Sequence, residues 1–446
     1  MVNQLLERME AGNKEILGYA TETGASSFNK AKPGFEGNVL EEDLFATLRL
    51  IIEQANLKIP ATHNGLGYNN LIFISLLLAK MQVDSDGEYL DSNAKIFPVL
   101  AIEEPEAHLH PSMQYKFLSF LKKNESNKVR QVFVTSHSTH ITSAVTLDEI
   151  ICLNSNGTDV HVAYPGRTFP ATDDGKKSKA YVQRFLDATK SDMLFAKKVI
   201  LVEGIAEQLL IPVFCHYESK SLVDEHVAIV NIGGRYFDHF LYLFDVESSS
   251  NAAIPKKVAC ITDRDPEQKL KSISGARFSE CYPFEYDVDT ARFEYKTHGP
   301  GLVKRFAIHQ NIRFFSQSEK GKTFEYELAW FNPYSDLLIT DSINNRDELK
   351  NLIGNFKTKK SLVELASGLR DSDGNTRIKE SLALCEWTEE EKKKALFSAR
   401  YLKSVGKGEN ALELAYILSS NLEADTEKQP FTVPTYLKNA VEWICQ

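Results

Sequence analysis

Short apolar runs alternate with amphipathic segments in the first third of the chain. The apolar runs at 97–102 and 131–135 are typical of buried strands, and the periodic segment 113–121 between them is typical of a helix. Further strands are predicted at 149–153 and 160–164, and they complete a first unit. The order strand, helix, strand implies parallel pairing through a crossover, so this unit is predicted to be α/β.

The same alternation begins again near residue 198. Strands are predicted at 199–202, 227–230 and 258–262, and helices at 205–217 and 236–244. This pattern predicts a small doubly wound α/β domain. In such a domain ligands bind at the carboxyl ends of the strands, which directs attention to the residues that follow each strand.

The remaining segments flank these two units. An apolar pattern from Glu41 through Leu48, Ile51 and Ile52 suggests a helix in a peripheral N-terminal arm. Beyond about residue 340 the pattern is mainly helical, with Thr388 and Glu391 forming a capping box. The predicted boundaries are 1–55 for the arm, 56–165 for the first α/β unit, 166–197 for a linker, 198–340 for the second α/β unit and 341–446 for a helical C-terminal region.

Composition narrows the class of protein. With 446 residues, 43% hydrophobic and 25% charged, the chain has enough apolar surface for conventional cores, which excludes a disordered, collagen-like or small disulfide-linked protein. The net charge of −9 argues against a protein that binds nucleic acid over its whole surface, but it is compatible with local basic grooves.

The cysteines and the length of the apolar stretches indicate the cellular compartment of the protein. The six cysteines include no Cys-x-x-Cys pair and follow no secretory leader, which suggests a reducing cytoplasm and no cysteine-based zinc site. The longest apolar stretch, 71–79, is about half of the ~20 residues that cross a bilayer, so no membrane association is expected.

Two acidic clusters lie where strands of the second unit are predicted to end. Glu203 follows the first strand, with Glu207 one turn into the next helix, and Asp263 and Asp265 follow the third. Adjacent parallel strands bring these ends together, and carboxylates this close repel one another unless cations lie between them. Carboxylate ligands suit Mg²⁺ or Mn²⁺ better than zinc. Any one of these acids alone is more often an ordinary strand-end residue, but the joint pattern is hard to explain that way.

This joint pattern resembles a Toprim domain, the catalytic fold of topoisomerases, primases and a set of nucleases, over about 198–335. The resemblance rests on two motifs, Glu203-Gly204 at the end of one strand and Asp263-x-Asp265 at the end of a later one. The resemblance implies that Glu203, Glu207, Asp263 and Asp265 hold divalent metal for phosphodiester chemistry. It also implies that Glu203 transfers protons.

The first unit has its own signature. An apolar strand ends in Glu103-Glu104, and it resembles the Walker B strand of an ABC-type ATPase. The resemblance places Glu103 at the Mg²⁺ position, Glu104 beside the attacking water, and His137 as the switch histidine after the next strand. Gly65 and Gly67 precede a predicted helix where such ATPases carry their signature loop. A Gly-x-Gly by itself is more often only a turn.

One part of an ATPase is missing from the sequence. No Gly-x₄-Gly-Lys-Ser/Thr occurs, so no phosphate-cradling P-loop is recognisable. Three explanations are open: another chain supplies the P-loop, this chain is a truncated form, or the domain has lost ATPase activity and become structural. ATP is therefore expected as a cofactor only with a complementing P-loop lobe, and ATP hydrolysis by this chain alone is not expected.

An ABC-type half followed by a Toprim domain is the layout of the OLD (overcoming lysogenization defect) family, which includes the nuclease subunit of the Gabija phage-defence system. The resemblance covers about 60–420. It assigns Glu325 to the metal site, with Glu327 as a weaker choice, and Lys407 between two glycines as an active-site lysine. The alternatives are a plain helix face for the two glutamates and a surface loop for the lysine.

The family resemblance implies a metal-dependent DNA endonuclease. Two Mg²⁺ or Mn²⁺ ions in each nuclease site would be held by Glu203, Glu207, Asp263, Asp265 and Glu325, and Lys407 would neutralise the scissile phosphate. The expected partners are DNA, a second copy of the chain in a homodimer or higher oligomer, and a helicase-like protein. The alternatives are a non-cleaving, nucleotide-sensing DNA-binding or assembly protein and, less favoured, topoisomerase or primase chemistry.

Overall fold

The computed structural model describes residues 2–22, 32–36, 49–54, 57–60, 63–85, 99–125, 131–155, 157–186, 191–424 and 427–446. Two compact units divide the chain. The first contains Met1–Ile150 with Phe185–Ser191, and the second contains Ile151–Arg184 with Asp192–Gln446.

The elements of the first unit are α1 Val2–Glu22, β1 Lys32–Glu36, β2 Arg49–Gln54, β3 Leu57–Pro60, α2 Leu66–Ser85, β4 Val99–Glu103, α3 Pro111–Glu125, β5 Gln131–Thr135 and α4 Thr139–Ser143. They form a three-stranded antiparallel sheet, β1-β2-β3, and a parallel pair, β4 and β5. The parallel pairing is the one predicted, because α3 crosses between the two strands.

The N-terminal segment contributes to the core of the first unit. Ala20 of α1 is fully buried in a cluster with Leu71 and Phe117, and the ring of Tyr19 packs edge-on against Phe120. The expectation of a peripheral arm is therefore wrong for this helix. The predicted helix after Glu41 is also wrong where it is described, because Arg49–Gln54 is a strand paired on both edges; residues 37–48 lie outside the described residues.

The elements of the second unit are β6 Cys152–Ser155, β7 Val160–Ala163, α5 Asp173–Phe185, α6 Asp192–Phe195, β8 Lys198–Val202, α7 Ile205–Tyr217, β9 Val227–Asn231, α8 Phe237–Leu241, β10 Lys257–Ile261, β11 Glu267–Leu270, β12 Ser279–Glu280, β13 Phe293–Lys296, α9 Gly299–Arg305, β14 Ile312–Phe315, α10 Phe324–Phe331, α11 Arg346–Lys357, α12 Leu362–Ser367, α13 Asp373–Leu384, α14 Glu389–Leu402, α15 Lys407–Glu423 and α16 Thr435–Cys445. The unit centres on a four-stranded parallel sheet in the order β14-β10-β8-β9.

The register of this sheet aligns the strand ends. Val202 of β8 lies opposite Ile261 of β10, and Ile261 lies opposite Phe315 of β14. The last four residues of both β8 and β10 are buried, as expected for a parallel sheet covered on both faces. The predicted α/β class is confirmed, and the residues after β8, β10 and β14 emerge at one edge.

Two segments differ from the prediction. The region 166–197 contains the helix Asp173–Phe185, in which Val182 is fully buried, so this part is folded rather than a linker. The hairpin of β6 and β7 belongs to the second unit, whereas its sequence position suggested the first. An antiparallel sheet, β12-β11-β13, is inserted between β10 and β14, and the hydrophobic pattern gave no sign of it because its strands are half exposed.

The helical C-terminal region shares its core with the parallel sheet. Phe214 of α7 stacks on Phe431 at 5.8 Å between ring centroids, and α16 lies against β10 and β14. The capping box predicted at Thr388 is confirmed, because the Thr388 side chain accepts from the amide of Glu391 and the Glu391 carboxylate accepts from the amide of Thr388. Within the described ranges, no helix has both the length and the apolarity needed to span a membrane.

Candidate active site

The acids predicted at two strand ends are in direct contact. Glu203 follows β8, and Asp263 lies two residues beyond β10. The hydroxyl of Thr262 donates to Glu203 Oε1 at 2.5 Å, and the backbone amide of Asp263 donates to the same oxygen at 3.2 Å. The parallel register thus places the two acidic clusters in one site.

Asp263 and four neighbouring acidic side chains form one group. Burial raises the pKa of the Asp263 carboxyl well above its usual range. Negative charges nearby raise it further, and they belong to Glu207, Asp265, Glu203 and Glu325. The structure therefore brings together all five residues that the sequence assigned to a metal site.

Glu207 reaches this site from the first turn of α7. Its side chain is buried, and a Cβ atom at Gly204 would lie 3.0 Å from Glu207 Oε2. Glycine at position 204 therefore leaves room for the carboxylate between the strand end and the helix.

Asp265 has a constrained backbone. Its φ of 42° lies in the left-handed region, which is uncommon for residues other than glycine but is tolerated by aspartate. The Asp265 amide donates to the carbonyl of Lys322 at 3.1 Å, and Arg235 Nη1 lies 3.6 Å from Asp265 Oδ2. The loop after β9 thus supplies a cation to the edge of the acidic site.

Helix α10 contributes two buried glutamates. Thr323 caps its first turn, and Glu325 and Glu327 are 5% and 2% exposed. In the described structure, Oε2 of each is buried without a hydrogen-bond partner. Burial raises the pKa of Glu327 to about 8, so this side chain is largely protonated at neutral pH. Of the two glutamates, Glu325 is the one whose charge acts on Asp263.

Several residues that support the site are not among those predicted from the sequence. Gln317 Nε2 donates to Asp263 Oδ1 at 2.7 Å, while Gln317 Oε1 accepts from the amide of Arg264, also at 2.7 Å. Gln317 lies two residues beyond β14, so the strand-end rule applied to a third strand would have found it. Tyr436 of α16 is also buried beside the site: burial raises its pKa, and so do the charges of Asp263 and Glu207. No motif marks Tyr436.

Lys407 is the first residue of α15, and its side chain lies outside the described residues. The neighbouring backbone is placed. A Cβ atom at Gly408 would lie 3.6 Å from Ile205 Cγ2, at the start of α7. The glycine-flanked turn therefore lies beside the helix that carries Glu207.

The acidic group has the donor chemistry of a site for a hard divalent cation. All its ligand atoms are carboxylate oxygens, and Glu325 Oε2 lacks a partner. In the described conformation, no three acidic, histidine or cysteine side chains hold their ligand atoms at common metal distance, and Glu203 and Asp263 instead accept bonds from Thr262 and Gln317. Close, partly desolvated carboxylates gain from a cation by losing their mutual repulsion.

The first unit holds a second cluster of predicted residues. Glu103 ends β4, and Glu104 follows with a left-handed φ of 41°. The amide of Glu104 donates to the Thr135 carbonyl at 3.0 Å, and its carboxylate lies 3.4 Å from His137 Nε2. The structure thus pairs the residue that the ATPase resemblance places beside the attacking water with the residue that it names as the switch histidine.

The glycine pair lies next to the loop that follows Glu104. Gly65 accepts the first backbone bond of α2 from Asn69, and a Cβ atom at Gly67 would lie 2.3 Å from the His108 carbonyl oxygen. Only glycine fits at position 67 without moving that backbone. The 65–67 turn is therefore packed against the 105–110 loop.

Two known protein families match different parts of the chain. Residues 1–142 match the AAA ATPase domain family, and this match includes the N-terminal segment 1–55. Residues 194–265 match the family described as overcoming lysogenization defect protein-like, TOPRIM domain. The chain carries an OLD-like Toprim domain. The Toprim match contains four of the five clustered carboxylates and ends at Asp265.

Individual relatives of the Toprim-containing chain are distant. An endonuclease named GajA from Bacillus cereus is 25% identical over 351 residues, which are 74% of this chain and 48% of that protein. An OLD nuclease from Thermus scotoductus is 25% identical over 235 residues, 52% of this chain and 42% of that protein. The chain thus spans about half the length of these curated relatives. Among solved structures, the C-terminal region of the Burkholderia pseudomallei OLD protein is 17% identical with a TM-score of 0.30, covering 56% of this chain and 98% of that one.

Proposed function

We propose that this protein is a metal-dependent DNA endonuclease of OLD type that acts in phage defence or DNA processing. The observation that carries the proposal is the group of five carboxylates, Asp263 and the four around it, at the carboxyl edge of a parallel sheet. Such a group is costly to keep together without cations, and phosphodiester hydrolysis is the chemistry for which two hard cations are used in this arrangement.

The protein's own residues would bind and orient the reacting groups. Glu203, Glu207, Asp263, Asp265 and Glu325 would hold two Mg²⁺ or Mn²⁺ ions, which activate water and stabilise the leaving oxygen. Thr262 and Gln317 fix the carboxylates of Glu203 and Asp263 by the hydrogen bonds described above. Burial raises the pKa of Glu203, which makes its carboxylate a better proton acceptor.

The ATPase region would regulate this site. Gly65, Gly67, Glu103, Glu104 and His137 would contact nucleotide once a complementing lobe supplies a P-loop. The pairing of Glu104 with His137 supports this role, whereas the sequence contains no P-loop motif of its own. We propose that the chain acts as a homodimer or higher oligomer, because cutting both strands requires two Toprim sites.

Plasmid cleavage tests the proposed function. Supercoiled and linear plasmid would be incubated with the chain in Mg²⁺, in Mn²⁺ and in EDTA, without ATP. We expect nicking or linearisation in either metal and none in EDTA. Absence of cleavage by folded protein in both metals, with and without ATP, would contradict the nuclease and favour a non-cleaving DNA-binding or assembly protein.

A lysine variant separates phosphate contact from metal binding. Lys407→Ala is expected to lower the cleavage rate by roughly 10²-fold, because a cation that stabilises transition-state charge contributes on that order. Since Lys407 is not a metal ligand in this proposal, the rise in melting temperature produced by Mn²⁺ should be unchanged.

The matched control is Lys403→Ala, which removes an exposed lysine four positions earlier. It should cleave at the wild-type rate. If Lys407→Ala also cleaves at that rate, or if it loses the response to Mn²⁺, the assigned role of Lys407 is wrong.

A further inference from the structure

Three aromatic rings lie beside the loop that carries Arg235. Tyr236 and His239 have ring centroids 6.2 Å apart with an interplanar angle of 15°, and Tyr181 of α5 lies 5.3 Å from Tyr236 and 4.6 Å from His239. We call Tyr181, Tyr236 and His239 the aromatic shelf. All three residues belong to the second unit.

Two glycines shape the loop that precedes the aromatic shelf. Gly233 and Gly234 have φ values of 75° and 129°, and the Gly233 amide donates to the side chain of Asn231 at 2.8 Å. A Cβ atom at Gly234 would lie 3.1 Å from the Tyr236 ring. The two glycines therefore let the loop turn sharply while the Tyr236 ring lies against its backbone.

The shelf is ordered but open to solvent. His239 Nδ1 and the buried Ser178 hydroxyl are hydrogen-bonded at 2.8 Å, which fixes the plane of the imidazole. Tyr236 nevertheless stays 48% exposed, whereas its neighbour Phe237 is buried in the core. An exposed aromatic face held in place by other rings is the form of a stacking site rather than of a core.

The position of the shelf indicates what it would bind. Arg235, next to Tyr236 in the chain, has Nη1 3.6 Å from Asp265 Oδ2. A phosphate at the carboxylate site would thus lie near this guanidinium, and the base attached to the same or the next sugar would lie near Tyr236. A nucleobase has a flat π face that stacks on aromatic side chains whatever its identity.

We propose that the aromatic shelf binds one unpaired nucleobase of the DNA beside the scissile phosphate, so that the preferred substrate is single-stranded or locally opened DNA. This inference rests on the proposed nuclease function. It adds a positioning role for Tyr236, and it predicts discrimination between unpaired and fully paired DNA that the carboxylates do not explain.

Binding in EDTA tests the shelf without any cleavage. Fluorescence anisotropy would compare a labelled oligothymidine with a labelled blunt hairpin duplex. Tyr236→Ala is expected to weaken binding of the single strand by about tenfold, because stacking on one aromatic side chain contributes that much, and to leave duplex binding unchanged. Tyr236→Phe keeps the ring and should bind the single strand as the wild type does, whereas Tyr236→Leu should behave like Tyr236→Ala.

Tyr416→Ala, which removes a tyrosine that is 75% exposed on α15, is the matched control and should bind both probes normally. Three results would each overturn the proposed role of the shelf. Tyr236→Ala could lose affinity equally for both probes, it could lose none, or Tyr236→Phe could fail to bind the single strand as the wild type does. If the wild type cuts plasmid in Mn²⁺ while any of these results holds, the shelf fails and the nuclease stands. If the wild type neither binds nor cuts DNA, the proposed function fails and the shelf fails with it.

Discussion

Asp263→Asn is expected to reduce metal-dependent plasmid cleavage by on the order of 10³-fold or more. Asp263 lies at the centre of the carboxylate group, since four other acids act on it. The amide keeps the size of the side chain and an oxygen that accepts from Gln317, so the fold should persist while the charge needed to hold cations is lost. Initial rates of supercoiled-plasmid loss in Mg²⁺ and Mn²⁺ measure the effect, and Glu203→Gln should behave in the same way.

The same substitution should make the metal-free protein more stable. Burial and the neighbouring carboxylates hold the pKa of Asp263 above its unfolded value, so the folded state binds more protons and stability falls as the pH rises between the two pKa values. Asn carries no such contribution. We therefore expect Asp263→Asn to melt at a higher temperature than the wild type at neutral pH in EDTA, with the difference disappearing below about pH 4.

Mn²⁺ should reverse this order. It should raise the melting temperature of the wild type and leave that of Asp263→Asn nearly unchanged. Asp287→Asn serves as the control, because Asp287 is exposed and has a left-handed φ of 60° that asparagine adopts readily. Normal cleavage by Asp263→Asn, or an unaltered response of that variant to Mn²⁺, would refute the assigned metal site.

Local pattern was sufficient to predict the parallel sheet and the acids at its edge. The runs 199–202 and 258–262 are short and apolar because both faces of the sheet are covered, and the structure shifts their bounds by only one residue. Glu203 and Asp263 could be placed together because parallel strands end at a common edge. The capping box at Thr388 was equally readable, since it depends on residues three positions apart.

The parts that were missed depend on contacts distant in the sequence. Tyr436 reaches Asp263 from the last helix, and Arg235 reaches Asp265 from the loop after β9. Neither residue belongs to a sequence motif, because each one reaches the site through the tertiary fold and not through the residues next to it in the sequence. The sequence pattern predicts a linker where helix α5 lies, because the polar composition of this segment hides the narrow apolar face that buries Val182.

Glu348→Ala is expected to destabilise the second unit by about 3–5 kcal/mol, which is typical when one partner of a buried ion pair is removed. Glu348 of α11 accepts from Arg400 Nε of α14 at 2.6 Å, and the two side chains are 10% and 6% exposed. Without the carboxylate, Arg400 keeps a buried charge that only water or distant groups would compensate. Urea unfolding monitored by circular dichroism, in EDTA, measures the change.

The pair is connected to the nuclease site through α14. This helix packs along α10, which carries Glu325, and the charge of Glu325 adds to burial in raising the pKa of Tyr401 on α14. Loss of the ion pair should therefore lower cleavage through unfolding of the helical region. We expect the activity of Glu348→Ala to fall in step with its folded fraction as the temperature rises.

Two further variants decide whether the effect comes from a buried unpaired charge. Lys357→Ala removes an exposed partner of Asp336 on the same helix as Glu348, and it should change stability by no more than about 1 kcal/mol. The double variant Glu348→Leu with Arg400→Met removes both charges and should recover most of the loss, because two apolar side chains leave no charge to compensate. If the double variant is as unstable as Glu348→Ala, packing volume and not charge accounts for the loss, and the ion pair has no special role in holding α14 against α11.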